Sequence, residues 1–123
     1  MAHAYKLTIR HGPRVLRSRH PCVNDAISAL EGELRALTAV ARRPRIDLKV
    51  RQFEPVAQIV ARGEISGPGR FFPTIRAGVD LRGDGSIEAY VGRMNRRLVL
   101  EGPGESAYAA LARELSQSES AAP

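Results

Sequence analysis

Residues 75–91 read IRAGVDLRGDGSIEAYV, and this stretch determines the kind of fold that the chain adopts. Every second residue from Ile75 to Leu81 is apolar, a pattern typical of a strand with one buried face. The turn-forming residues Gly83–Gly85 follow, and a second apolar-rich segment runs from Ile87 to Gly92. Asp-Gly between two such segments is a strong hairpin signal. We therefore predict an antiparallel sheet that contains this hairpin.

Further strands are predicted on both sides of the hairpin. Alternation or a short apolar run predicts them at Tyr5–Arg10, Arg14–Arg19, Ile46–Arg51, about Val56–Ile65 and Leu98–Glu101. His11-Gly12-Pro13 separates the first two, so the chain is predicted to begin with a β-hairpin whose Tyr5, Leu7 and Ile9 face the core.

Two segments change to the helical period. Between Pro21 and Arg45 the apolar residues recur every three or four positions, at Ile27, Leu30, Leu34, Leu37 and Ala41. Asn24 or Asp25 is the predicted N-cap of this helix, and Arg42-Arg43-Pro44-Arg45 ends it. A second amphipathic helix is predicted at Glu105–Gln117.

Length and element order predict the fold class. A chain of 123 residues with 43% apolar content holds one domain, predicted at residues 1–117 with a disordered tail at 118–123. Strands joined by short turns are antiparallel, and two helices that each bury one stripe pack economically on one face of the sheet. We therefore predict an α+β fold with an antiparallel sheet of about five to six strands and one largely exposed sheet face.

Composition excludes several classes of protein. Cys22 is the single cysteine and cannot form an intramolecular disulfide, and one Cys with three scattered His cannot supply a four-ligand zinc site. No apolar run approaches the roughly 20 residues of a membrane span, and the N-terminal segment lacks the apolar stretch of a signal peptide. We expect a cytoplasmic protein with no membrane partner, no metal and no cofactor.

The positive charge is concentrated in the first half of the chain. Nineteen basic and thirteen acidic residues give a net charge of +6, and seventeen of the basic residues are Arg. Residues 1–51 carry eleven basic and four acidic side chains, whereas residues 52–123 carry eight and nine. A net charge of this size is ordinary for a soluble domain, and the Arg bias could reflect the base composition of the source genome. The placement of the cations is therefore more informative than their number.

The predicted nucleic-acid-binding residues lie on the outward positions of strands, in the first hairpin and after the first helix. They are Lys6, Arg10, Arg14, Arg17, Arg19, Arg42, Arg43, Arg45, Lys49, Arg51, Arg76 and Arg82. A further basic cluster lies at 93–97. Aromatic residues make up only 5% of the chain, and Phe53, Phe71, Phe72 and Tyr90 are the candidates for base stacking. Contacts to phosphates are therefore favoured over reading of bases.

An enzymatic function is a further possibility that the sequence can be read for. The sequence contains no Gly-rich nucleotide-binding loop and no nucleophile elbow. His11, His20 and Cys22 could form a small reactive site if the fold brought them together, and neighbouring Arg charges would favour a thiolate. No carboxylate or amide that would orient them is identifiable, so we expect no enzymatic activity.

The start of the final helix suggests a family. Residues 104–111, GESAYAAL, resemble the entry to the last helix of the ribosome hibernation promoting factors, and the order of elements is similar. The N-terminal hairpin, a last helix with Arg113 as its only cation, and the high strand count differ from that family. The resemblance implies a partner in the small ribosomal subunit, contacted through basic residues, and it assigns no individual binding residue here.

Two functional hypotheses follow from these observations. The first is a non-enzymatic basic domain that binds RNA or the ribosome through phosphate contacts from an Arg-rich sheet face and hairpin. The alternative is a protein–protein interaction or homodimerisation module that uses the exposed sheet face or an edge strand.

Overall fold

The predicted N-terminal hairpin begins an antiparallel sheet. A computed structural model describes residues 5–41, 59–68, 75–92 and 96–121. Its strands are β1 (Tyr5–His11), β2 (Arg14–His20), β3 (Ile59–Gly67), β4 (Ile75–Arg82), β5 (Ile87–Val91) and β6 (Arg97–Leu98). In this part of the chain the order across the sheet is β2-β1-β3-β4-β5-β6, and every neighbouring pair is antiparallel. The predicted α+β fold class is confirmed.

The β4–β5 connection forms as the Asp-Gly signal predicts. The Arg82 amide donates to the Ser86 carbonyl at 2.9 Å, and the Gly85 amide donates to the Arg82 carbonyl at 2.9 Å. Asp84 accepts hydrogen bonds from the Ser86 hydroxyl at 2.6 Å and amide at 2.9 Å, which lower the pKa of Asp84. Gly85 has φ +90°, a conformation that glycine adopts without a steric penalty. The turn chemistry is therefore local to residues 82–86.

Two helices, α1 (Val23–Ala41) and α2 (Ala107–Ala121), pack together on one face of the sheet. The start of α1 corrects the sequence prediction. The Cys22 carbonyl accepts from the Ala26 amide at 3.1 Å, so the helix begins before the predicted caps Asn24 and Asp25, which lie in its first turn. A carboxylate at Asp25 suits the positive end of the helix dipole.

The start of α2 has a side-chain cap. The Ser106 hydroxyl accepts from the Ala109 amide at 3.1 Å, which places the helix start two residues after the predicted one. The helix continues to Ala121, so it includes residues 118–121 of the predicted disordered tail.

Three other predicted elements differ or cannot be compared. The predicted strand at Ile46–Arg51 lies outside the described residues, as does the start of the strand predicted from about Val56. The last strand is only Arg97–Leu98 rather than Leu98–Glu101.

The core lies between the helices and one sheet face. Tyr5, Leu7 and Ile9 are buried as predicted, at 5% exposure or less. In antiparallel pairs, residues directly opposite each other point to the same face. Leu7 opposes Ile65, which opposes Ala77, so this row belongs to the helix-covered face.

Close approach of α1 to β3 depends on a glycine. Gly63 lies opposite Ile9 and Val79 on the helix-covered face. A Cβ added at Gly63 would overlap Leu30 Cδ1, and Leu30 is fully buried. The absence of a side chain at Gly63 therefore lets Leu30 pack directly on the strand. Neither helix is long and apolar enough, over the residues that the structure describes, to cross a lipid bilayer.

Candidate nucleic-acid interface

The sheet face away from the helices, here called the distal face, carries three rows of opposed residues. The first row is Arg19, Lys6, Ser66 and Arg76. The second row is Arg17, Thr8, Glu64, Gly78, Tyr90 and Leu98. The third row is Val15, Arg10, Arg62, Asp80 and Glu88. Arg82 lies two residues beyond Asp80 on the same face, and Arg96 stacks on Tyr90.

Charge is segregated between this face and the rest of the described chain. The distal face carries eight cations, at Lys6, Arg10, Arg17, Arg19, Arg62, Arg76, Arg82 and Arg96. It carries three carboxylates, at Glu64, Asp80 and Glu88, which leaves a net charge of +5. The other side chains that the structure describes include four cations and seven carboxylates, a net charge of −3. The two sides of the described structure therefore have opposite charge.

Two of the cations are held by carboxylates. Arg62 Nε donates to Asp80 Oδ1 at 2.7 Å and its Nη2 to Oδ2 at 3.3 Å, and this contact raises the pKa of Arg62. Asp80 is only 6% exposed, so the bidentate contact supplies partners for a buried charge. Arg82 Nη2 donates to Glu88 Oε1 at 2.8 Å. Within the described ranges, the other six cations of the distal face form no ion pair.

Tyr90 lies in the sheet surface because the residue opposite it is glycine. A Cβ added at Gly78 would lie 2.5 Å from Tyr90 Oη and 2.6 Å from the Gly63 carbonyl oxygen. The Arg96 guanidinium covers the ring, with its Cζ 4.5 Å from the ring centroid. Tyr90 is only 4% exposed, so it is not the exposed stacking platform that the sequence suggested.

The Tyr90 hydroxyl is buried and has no hydrogen-bond partner among the described residues. Burial, reinforced by the nearby carboxylates Asp80 and Glu64, raises the pKa of Tyr90 to about 12. The phenol is therefore protonated at neutral pH and presents an unused hydrogen-bond donor.

A cavity of about 400 Å³ opens on the distal face beside Tyr90, here called the central cavity. Its polar lining comes from the first two rows and from Arg10 and Arg96. The lining side chains that can bind a ligand are Lys6, Thr8, Arg10, Glu64, Ser66, Arg76, Tyr90 and Arg96. The cavity thus brings four cations around one carboxylate and one phenol.

The structure brings six of the twelve predicted binding residues to one surface. Lys6, Arg10, Arg17, Arg19, Arg76 and Arg82 all lie on the distal face. Arg14 opposes His11 at the hairpin end, in register with the helix-covered face, so it is separated from the others. The remaining five, at positions 42–51, lie outside the described residues.

Sequence reasoning missed two cations of this surface. Arg62 alternates with the small residues Ala61 and Gly63, so the period-2 signal around it is weak, although a strand was predicted there. In the sequence, Arg96 stands out only as part of the basic cluster at 93–97. That cluster divides, because Arg97 Nη2 instead donates to Glu114 on α2 at 2.8 Å.

The three residues of the hypothetical reactive site do not converge. His11 and His20 lie at opposite ends of the first hairpin, where they oppose Arg14 and Tyr5. The His20 Nε2 is 2.8 Å from the Ser18 hydroxyl, and Cys22 is exposed. Nowhere in the described ranges do three His, Cys, Asp or Glu side chains form a group that could hold a metal ion.

Comparison with models of protein families, with curated proteins and with solved structures finds no match to this chain. The chemistry of the distal face is therefore the basis on which a function is inferred.

Proposed function

We propose that this chain is a non-enzymatic domain that binds RNA through phosphate contacts on the distal face. The observation that supports it is the segregation of charge, with +5 on the distal face and −3 on the other side chains that the structure describes. Cations placed only for solubility have no reason to collect on one side of a sheet. A polyanion, in contrast, is attracted and oriented by such a surface.

The side chains on this face suit phosphate better than bases. Arg17, Arg19 and Arg76 are exposed and form no ion pair with the described residues, and a guanidinium can bind two phosphate oxygens at once. Tyr90, the described aromatic residue of the distal face, is buried beneath Arg96. Recognition of the backbone and shape of structured RNA is therefore favoured. The resemblance to hibernation promoting factors makes the small ribosomal subunit one candidate source of such RNA.

The salt dependence of RNA binding tests this function. If four to six phosphates are contacted, affinity for a structured RNA should fall about 10²- to 10³-fold between 50 and 200 mM monovalent salt. Failure to bind structured RNA at 50 mM salt would refute the proposal. Equal or tighter binding of a DNA duplex under the same conditions would show that RNA is the wrong polyanion.

Two arginines on β2 provide a matched pair of variants. Arg17 and Arg14 are both exposed and lie on the same strand, but they belong to opposite faces of the sheet. Arg17→Gln should weaken RNA binding and reduce the steepness of the salt dependence by about one phosphate, whereas Arg14→Gln should change neither. An equal loss of RNA affinity in the two variants would contradict the assignment of RNA binding to the distal face.

The exposed edge strand β2 supports a second candidate function, strand pairing with a protein partner. Val15 is 36% and Leu16 is 48% exposed, and β2 is an edge of the described sheet. A second copy of this strand would bring its three arginines alongside three more, so an acidic partner strand is favoured over a homodimer. Sedimentation equilibrium should show a monomer, and a dimer that persists in Leu16→Arg would contradict this use of the edge.

A further inference from the structure

The central cavity combines features that a simple phosphate site does not need. Lys6, Arg10 and Arg76 are exposed at its rim, and none of them is ion-paired with a described residue. Its volume of about 400 Å³ lies within the roughly 300–1,000 Å³ of small-ligand sites. The rim can hold a phosphate, but the interior contains groups of a different kind.

Glu64 is the first of these groups. It is partly buried in the middle row, between Thr8 and Gly78, and it forms no ion pair with any described residue. An ionised carboxylate repels a phosphate and accepts hydrogen bonds through two oxygens. The occupant must therefore bring hydrogen-bond donors to Glu64 as well as an anionic group to the rim.

Tyr90 is the second of these groups, and Arg96 covers its ring. The Tyr90 hydroxyl is a buried donor without a partner in the described structure, on a residue that lines the cavity. Such a group is satisfied when a ligand acceptor reaches it. The Arg96 guanidinium covers the Tyr90 ring and is itself exposed, so it is a further donor for a phosphate beside the phenol.

We propose that the central cavity binds one unpaired guanosine nucleotide of RNA, an inference that rests on the proposed function. The N1–H and 2-amino groups of guanine are adjacent donors that match the two oxygens of Glu64. The neighbouring O6 is an acceptor for the Tyr90 hydroxyl, and the phosphate contacts Arg96 and the cations of the rim. Adenine, cytosine and uracil lack two adjacent donors on this edge, so they leave Glu64 half satisfied.

Calorimetric titration of the full chain with GMP, IMP, AMP and inorganic phosphate at low salt tests the cavity. IMP differs from GMP only by the missing 2-amino group, so GMP should bind about 10-fold more tightly than IMP. AMP and phosphate should bind more weakly than GMP. Equal affinity for GMP and IMP, or for GMP and phosphate, would overturn the assignment of guanine.

Two variants test the named residues. Glu64→Gln should remove the preference for GMP over IMP, and Tyr90→Phe should weaken GMP binding without loss of folded structure, as monitored by circular dichroism. Neither variant should change the salt dependence of binding to a fully paired RNA, which depends on the remaining cations of the distal face. An unchanged GMP preference in Glu64→Gln would overturn the role of this carboxylate.

Competition separates this inference from the function on which it rests. An RNA hairpin with guanine in its loop should displace GMP, whereas the same hairpin with adenine in the loop should displace it at least 10-fold less well. If GMP binds but the guanine hairpin does not compete, the assignment to RNA is wrong. If paired RNA binds with steep salt dependence but GMP shows no preference, only the guanosine site is refuted. If the chain binds neither paired RNA nor GMP, the proposed function is refuted as well.

Discussion

Replacement of Gly63 by alanine should destabilise the fold, although alanine is the better strand residue. A Cβ at Gly63 would overlap Leu30 Cδ1, and Leu30 is fully buried between α1 and β3. Insertion of a methyl group into a packed core costs about 1–3 kcal/mol, whereas replacing glycine within a strand returns only about 0.5–1 kcal/mol. The expected net loss is about 1–2 kcal/mol of the free energy of unfolding.

Gly32 provides a control with the same chemical change and the opposite expected sign. It lies in the middle of α1, and a Cβ added there would meet nothing within 4 Å. Gly32→Ala should therefore stabilise the protein by about 1 kcal/mol, the helix-propensity difference between the two residues. Urea unfolding followed by circular dichroism measures both variants, and their free energies of unfolding should differ by about 2–3 kcal/mol.

A double variant identifies Leu30 as the cause. Leu30→Val removes the Cδ atoms that Gly63→Ala would strike, so the alanine should cost less in this background, with a coupling of about 1 kcal/mol. A Gly63→Ala variant as stable as the wild type, or a double variant whose effects simply add, would refute the packing of Leu30 on Gly63.

Three further predictions concern hydrogen bonds and charge. Asp80→Asn should lower the free energy of unfolding by about 2 kcal/mol in urea, because Arg62 loses a charged bidentate partner; an unchanged value would contradict this. Tyr90→Phe should raise the free energy of unfolding by about 1 kcal/mol, because a buried hydroxyl without a partner among the described residues is removed. Ultraviolet titration of the wild type should show one tyrosine with a pKa of about 12. The ion pair with Arg113 lowers the pKa of Glu105, so this carboxylate stabilises the fold above its ordinary pKa and the contribution is lost as pH falls through the lowered value. The midpoint temperature of thermal unfolding should therefore fall less between pH 7 and pH 3 in Glu105→Gln than in the wild type.

The parts of the fold that could be predicted from the sequence are those decided by neighbouring residues. Alternation in β1 and the turn at Gly83–Gly85 depend on contacts within a few positions, and both formed as predicted. The start of α1 was misplaced because Cys22, which precedes the helix, is not a side chain that caps helices. The predicted caps rest on the preference of Asn and Asp for that position. In the structure α1 begins earlier, at Val23, and the Val23 side chain is buried in the core.

The central cavity could not be predicted, because it depends on the register between strands. Tyr90 is buried since Gly78 lies opposite it on β4, and the two residues are twelve positions apart in sequence. Asp80 and Tyr90 both lie on the sheet face away from the helices, where alternation alone leads one to expect exposed side chains. Asp80 is instead buried with Arg62 from β3, a pairing visible only when the strand order is known.

The placement of charge in the described structure can be compared with what the base composition of the source genome would produce. A bias set by the base composition of a genome acts on every codon and would enrich arginine on both sides of the described structure. On the helix-covered side and in the connections, the described side chains instead include four cations and seven carboxylates, so the described structure away from the distal face is acidic. Within α1, Arg35 is the only cation beside three carboxylates. A compositional bias can account for arginine in place of lysine, but it does not account for the placement of cations on one face of the sheet, whereas the proposed anionic partner does.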